Sequence, residues 1–422
     1  MNEGAIDPKS FLASLFDAAV AAADPSRVIE RYLPPVPKGR TIVVGAGKGV
    51  AQLARALEAV WPGPLEGTVV TRYGYGTPCS HIEVLEASHP VPDLNGLAAS
   101  ARLFKRVRDL TPDDLVVALV CGGGSALLPA PPQGFDLSDE IALNEQLLKS
   151  GAPISVMNPI RRRFSIIKGG RLAAAAYPAK VVSLVVSDIP GDMLWDVASG
   201  PTIPAGEGDI NLATTLEAYR IVLPERTRDH IINCAHTPSP DDARFRENET
   251  HLVASARLSL EAAAETAREH GVDAVILSDE VEGEARDAGL FHAALALEAS
   301  RRDRPFRKPV VLLSGGETTV TVRSPGKGGR NTEFLLSLAI KIAGFDNIHA
   351  IAADTDGIDG TEDNAGAFAD STTVSRLRQA GIDPRDALTR NDTWTAFNAL
   401  GDLFVPGPTG TNVNDFRAIV IL

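Results

Sequence analysis

Cysteine is scarce in this chain, with three among 422 residues (Cys79, Cys121 and Cys234). They are isolated from one another, with no Cys-x-x-Cys pair and no Cys/His spacing of a zinc site. A disulfide framework is excluded, and an odd, sparse count points to a reducing compartment. A basic surplus is also missing. Lys plus Arg number 41 against 54 Asp plus Glu, a formal net charge of −13. Bulk attraction to nucleic acid or anionic lipid is therefore not expected, although a small anionic substrate needs only a local basic pocket. No window of about 20 residues is apolar throughout, so no transmembrane helix is expected. The opening stretch carries Glu3, Asp7 and Asp17 and lacks the basic start of a signal peptide. Tandem repeats and low-complexity tracts are absent. A cytoplasmic protein without nucleic-acid or membrane partners is the expectation, and a homodimer is compatible with it.

Short apolar runs of strand length alternate with helical stretches. Thr41–Val44, Thr68–Thr71, Leu115–Val120 and Val181–Val186 lie in the first half. Ala274–Leu277, Val310–Leu313, His349–Ala352 and Ala418–Leu422 lie in the second. Each is unalternating, and most run into Gly, Ser or Asp, as buried parallel strands with functional loops at their carboxyl ends do. The fold class expected is α/β, doubly wound. At about 150 residues per domain the length suits two or three domains. The polar stretch His236–Thr250 is the best boundary, giving a larger domain over 1–240 and a smaller one over 241–422.

The chemistry sits in the loops. Gly45-Ala46-Gly47-Lys48-Gly49 follows a strand and opens a helix, where backbone N–H groups and the helix dipole favour an anion. Position 50 is Val, so this is neither the G-x-G-x-x-G fingerprint nor a P-loop. Gly122-Gly123-Gly124-Ser125 follows the Leu115–Val120 run, and three glycines there make sense if their N–H groups cradle a phosphate or carboxylate. Asp188 and Asp192 in SDIPGD could share Mg²⁺, against the plain alternative of a helix cap and a turn. Ser314-Gly315-Gly316-Glu317 ends the Val310–Leu313 run. GKGGRNTE then delivers Arg330 and Asn331 to a helix, and Arg330 offers a planar fork for carboxylate or phosphate. Asp354 and Asp356 open DTDGIDG, which lacks the Glu of a calcium loop (position 12 is Ala365). Arg161–Arg163 with Lys168 form a basic cluster, either a phosphate clamp or a solvated face. His89 precedes a Pro-rich turn and reads as structural. Basic groups, backbone donors and carboxylates at one sheet edge are the parts of Mg-dependent phosphoryl transfer.

In order along the chain, VVGAGKG, SHPVPD, CGGGSALL, NPIRRRFSIIKGGRLA, VVSDIPGD, SGPT, LLSGGETTVTV, GKGGRNTEF, DTDGIDG and GPTGTNVND resemble the bacterial glycerate 2-kinase family, whose members are also often labelled hydroxypyruvate reductases. The resemblance runs from about Ser10 to Leu422. It implies two α/β domains with the site between them, a larger Rossmann-like one and a smaller one. It also implies ATP- and Mg²⁺-dependent phosphorylation of the 2-hydroxyl of D-glycerate. Lys48 and Arg330 match the family's catalytic pair, and Asp188 and Asp192 the acidic loop. Gly47, Gly122–Gly124, Ser125, Ser314–Glu317, Asn331, Asp354 and Asp356 match loops that would hold substrate or phosphate. Two positions depart from the family pattern: Thr332 stands for Gln, and Arg162-Arg163 for Lys-His. The rival reading is an NAD(P)H-dependent hydroxypyruvate reductase. Against it, Thr68–Thr71 is followed by Arg72 rather than a ribose-binding acid. A sugar-acid-binding regulator ranks lower, since no DNA-binding motif is evident.

Overall fold

The computed structural model describes residues 7–206, 211–233 and 237–422. Glu3, Cys234 and His236, singled out above, lie outside the described residues. The chain packs as two compact units, residues 28–253 and residues 1–27 with 254–422. The division falls at the end of the polar stretch rather than at 240/241. The first helix, Pro8–Ala23, belongs to the second unit, because its apolar face (Phe11, Leu12, Leu15, Phe16) packs with Leu260, Val311, Ile351 and Phe416.

The first unit holds strands β1 (Thr41–Ala46), β2 (Glu66–Arg72), β3 (Ile82–Ala87), β4 (Leu115–Cys121), β5 (Lys180–Val186) and β6 (Glu249–Ala254). Their order is β3-β2-β1-β4-β5-β6, and β1–β2, β1–β4, β2–β3 and β4–β5 pair in parallel. Strands β1 and β4 are buried at every residue, which is why their runs do not alternate. The chain reverses its direction across the sheet at β1 and β4. Their carboxyl ends flank the crevice where open α/β sheets bind ligands.

The second unit holds β7 (Asp273–Ser278), β8 (Gly283–Glu284), β9 (Val310–Gly316), β10 (Thr318–Thr319), β11 (Ile348–Asp354), β12 (Gly366–Asp370), β13 (Leu403–Phe404) and β14 (Asp415–Ile421). β8 and β10 form a small ribbon, and the others a sheet ordered β13-β12-β11-β14-β9-β7. Only β7–β9 is parallel; β9–β14, β14–β11, β11–β12 and β12–β13 are antiparallel. The expectation of parallel strands is corrected here. Leu312 and Ile419 face one helical layer, while Val311 and Ala418 face another. A strand covered on both faces reads as a continuous apolar run in either direction, so the run cannot report orientation. The consequence is functional. β9 and β11 end at the edge where β14 begins, which sets Asp415 opposite both Gly316 and Asp354. No helix among the described residues is long and apolar enough to cross a membrane.

Candidate functional site

In the first unit the site grows from the β1 turn. Gly47 N–H donates to Val70 O (3.1 Å), Lys48 N–H to Gly122 O (2.9 Å) and Thr71 Oγ1 to Lys48 O (3.0 Å). Lys48 is thus pinned between the carboxyl ends of β2 and β4. Gly47 has φ +140°, and a Cβ there would fall 2.4 Å from Cys121 O; only glycine fits. Gly123 has φ +78°, and its missing Cβ would meet Lys48 Cγ at 2.9 Å and His89 Nε2 at 3.2 Å. The lysine stem therefore lies across the glycine loop with His89 facing it. Burial, aided by the charges of Lys48 and Arg72, pulls the His89 pKa down to about 4, so the imidazole is neutral at pH 7. The Asp188 carboxylate fills the space over Gly122, 1.7 Å from where a Cβ would stand. Asp192 lies four residues on in the left-handed region (φ 50°).

Behind the glycine loop, the partly exposed Ser125 leads into a chain of buried polar groups. Ser125 Oγ and Ser199 Oγ are 2.8 Å apart, and Ser199 Oγ donates to Asn158 Oδ1 (3.1 Å). Asn158 Nδ2 donates to the carbonyl (3.0 Å) and carboxylate (3.2 Å) of Asp196, which also accepts from Arg162 (2.7 Å). Lys168 Nζ donates to Glu140 (2.8 Å) and Leu128 O (2.9 Å). Arg162 and Lys168 are 3% and 1% exposed. They are interior braces rather than a solvated face, since removing either partner would strand a buried charge.

In the second unit the site is built around Arg330, at the start of the helix Arg330–Ile342. Its Nε donates to Asp415 (2.6 Å), one Nη to Glu317 (2.9 Å) and the other to Asp354 (2.6 Å). Burial works against the guanidinium's charge, but Asp415, Asp354 and Glu317 outweigh it and hold the pKa above its ordinary value. Three of five N–H donors are committed to these carboxylates. Asp354 is buried and its carboxyl pKa is raised, first by desolvation and opposed by Arg330. Asn331 Nδ2 donates to Asp415 (2.9 Å), and Arg417, buried within β14, bonds Asp415, Gly315 O and Thr318. Asp359 accepts the backbone N–H groups of Asn331 and Thr332, both at 3.0 Å, capping the helix from 28 and 27 residues away. A Cβ on Gly329 would collide with that carboxylate at 2.3 Å. Burial pushes the Asp359 pKa up to about 6. Ser314 Oγ lies 2.9 Å from His292 Nε2, and His292 Nδ1 donates to Ala288 O. Ser314 is therefore the donor to the neutral ring, which burial lowers to about 4.

Of the expected residues, Gly47, Lys48, Gly122–Gly124, Ser125 and Asp188 come together at the β1/β4 crevice, with Asp192 on the loop after β5. Gly315, Gly316, Glu317, Arg330, Asn331 and Asp354 come together at the β9/β14/β11 edge, with Asp356 bonded through its N–H to Asp354 (3.1 Å). Ser314 is buried beneath that edge. Sequence reasoning did not single out Asp415, Arg417, His292, Asn158 or Asp196. Arg417 left a signal, a charge set between Phe416 and the apolar run Ala418–Leu422. Both departures from the family pattern prove interior at Thr332 (0% exposed) and Arg162. Thr332 Oγ1 accepts from Gly329 N–H (3.0 Å) and bonds Asp359 (3.0 Å), so it completes the helix cap. No group of three or more His, Cys, Asp or Glu side chains among the described residues is placed to hold a metal ion. Asp188 is a single hard oxygen donor at the crevice, which suits a Mg²⁺ ion carried mainly by phosphate oxygens.

Comparison with known proteins agrees with this organisation. Residues 11–232 match the model described as a domain of unknown function, DUF4147, and residues 310–415 match the MOFRL family. A D-glycerate 2-kinase of Thermotoga maritima is 38% identical over 409 residues, 96% of this chain and 97% of the relative. A protein of Agrobacterium vitis provisionally named hydroxypyruvate reductase is 49% identical over 419 residues, 99% of this chain and 95% of the relative. The crystal structure of glycerate kinase from T. maritima superposes with a TM-score of 0.89 at 37% identity, covering 98% of this chain and 99% of that one. Shared architecture and full-length similarity together place this chain in the glycerate kinase family, as a two-domain α/β enzyme.

Proposed function

We propose that the chain transfers the γ-phosphoryl group of ATP to the 2-hydroxyl of D-glycerate, giving 2-phosphoglycerate, with Mg²⁺ bound alongside the nucleotide. The observation that carries this reading is Lys48, clamped by backbone bonds at the β1/β4 crevice with its stem over Gly123. It is a fixed positive charge beside glycine-loop N–H groups, which phosphoryl transfer uses to offset charge on the equatorial oxygens. The full-length similarity to a D-glycerate 2-kinase supports it. In this reading Lys48 and the Gly122–Gly124 N–H groups hold the phosphates. Arg330 keeps two N–H donors for the substrate carboxylate, while Asp415, Asp354 and Glu317 fix its plane. Asp188 would hold Mg²⁺, which would supply positive charge to offset that of the phosphates.

The reductase reading is favoured by the name carried by the A. vitis relative. The site supports it less. The third glycine of the dinucleotide fingerprint is replaced by Val50, fully buried. Arg72, at the position of the ribose acid, lies with its guanidinium 3.5 Å from the Tyr75 ring centroid. The test is a coupled ADP-release assay with D-glycerate, ATP and Mg²⁺, beside NADH and NADPH oxidation on hydroxypyruvate. Glycerate-dependent ADP release supports the kinase, and reduction of hydroxypyruvate without ADP release refutes it.

A further inference from the structure

Hydrogen positions in the chain behind the glycine loop follow from donor and acceptor capacity alone. The guanidinium of Arg161, which can only donate, bonds Asn158 Oδ1 (3.3 Å). The carbonyl and carboxylate of Asp196, which can only accept, face Asn158 Nδ2 (3.0 and 3.2 Å). The Asn158 amide is therefore fixed from both sides, with its oxygen toward Ser199. The single hydroxyl hydrogen of Ser199 goes to that oxygen (3.1 Å). In the Ser125–Ser199 contact (2.8 Å) the donor must then be Ser125. Its one hydrogen is directed into the protein, and what it turns outward is a lone pair.

A hydroxyl in that state cannot donate to a phosphate oxygen. It can accept from an O–H group. We infer that Ser125 is a specificity-determining residue that accepts a hydrogen bond from a hydroxyl group of the acceptor hydroxy acid, instead of helping the glycines hold phosphate. The inference rests on the glycerate reading above and deepens it. Three further observations fit. Ser125 is partly exposed whereas Ser199 and Asn158 are fully buried. Ala198 and Ser199 are consecutive residues held in the left-handed region (φ 53° and 59°), a strained conformation that persists where its surroundings over-determine it. Gly124 has no Cβ where one would meet Ala198 Cβ at 2.6 Å, so the Ser125 turn can sit against that strained segment.

The experiment is calorimetric titration of the full chain with D-glycerate and, separately, with ATP and Mg²⁺, for the wild type, Ser125→Ala, Ser125→Thr and Ser199→Ala, with melting temperatures alongside. Ser125→Ala is expected to weaken D-glycerate binding about tenfold and to leave ATP binding unchanged. Ser125→Thr, which keeps the hydroxyl, restores glycerate binding. Ser199→Ala frees the Ser125 proton and weakens glycerate binding less than Ser125→Ala does. Weakened ATP binding in Ser125→Ala would overturn the inference, since Ser125 would then be a phosphate donor. Unchanged glycerate binding would also overturn it, as would equal loss of both ligands with a lowered melting temperature, or a wild type that binds no glycerate. Binding is read without turnover. If ADP release fails while Ser125→Ala still loses glycerate, the kinase reading falls and this inference stands.

Discussion

The two units present opposite solutions at the edges that carry the candidate site residues. In the first, a parallel sheet brings together one lysine, a neutral histidine and a loop of three glycines, and backbone groups make up much of the edge. In the second, a mixed sheet brings three carboxylates around one arginine, and side-chain charge dominates. Lys48 is held by its own backbone, so its amine is dispensable to the fold. Arg330 is held by its guanidinium, so its charge is structural as well as being proposed to grip substrate. The family resemblance treats the two as one catalytic pair, whereas their surroundings predict different phenotypes.

The largest expected effect is on turnover. Lys48→Ala should lower kcat by about a thousandfold while stability by urea denaturation changes by less than about 0.5 kcal/mol. Equal loss of stability would erase the contrast. Arg330→Ala should abolish turnover and also cost about 3 kcal/mol of stability, because Asp415 and Asp354 are left buried with one cation fewer. Arg330→Ala at wild-type stability would make Arg330 equivalent to Lys48.

The third test is pH dependence. The folded Asp359 pKa, about 6, lies above the unfolded value of about 3.9. A raised pKa means that the folded state binds the proton more tightly. The contribution is therefore complete below about pH 4 and is lost as pH rises through 6. The stability advantage of the wild type over Asp359→Asn should shrink by about 2–3 kcal/mol between pH 4 and 7. An advantage that grows over that range would reverse the sign. The smallest effect compares two glycines. Gly74 has φ +77° with open space around it, and Gly123 has φ +78° with Lys48 against it. Alanine at either should cost about 1–2 kcal/mol, but only Gly123→Ala should lower kcat, by about tenfold, through displacement of Lys48.

Much of this was legible in the sequence. Lys48, the three glycines and Arg330 stand in short motifs next to buried runs, where local spacing suffices. The direction of β14, opposed to β9 and β11, was not legible, since strands covered on both faces read alike. Nor was the first helix crossing to the second unit, because its apolar stripe says that it packs and not against what. Asp415 meets Arg330 across 85 residues, and Asn158 meets Ser199 across 41. Those pairings exist only through the sheet register and the strained turn at 198–199.

Phosphorus NMR of a mixture of the chain, ATP, Mg²⁺ and D-glycerate separates phosphoryl transfer from reduction in one sample. ADP is expected together with a new phosphomonoester whose coupling places the phosphate on the carbon-2 oxygen. An unchanged ATP spectrum, in a sample that oxidises NADPH when given hydroxypyruvate, would contradict it.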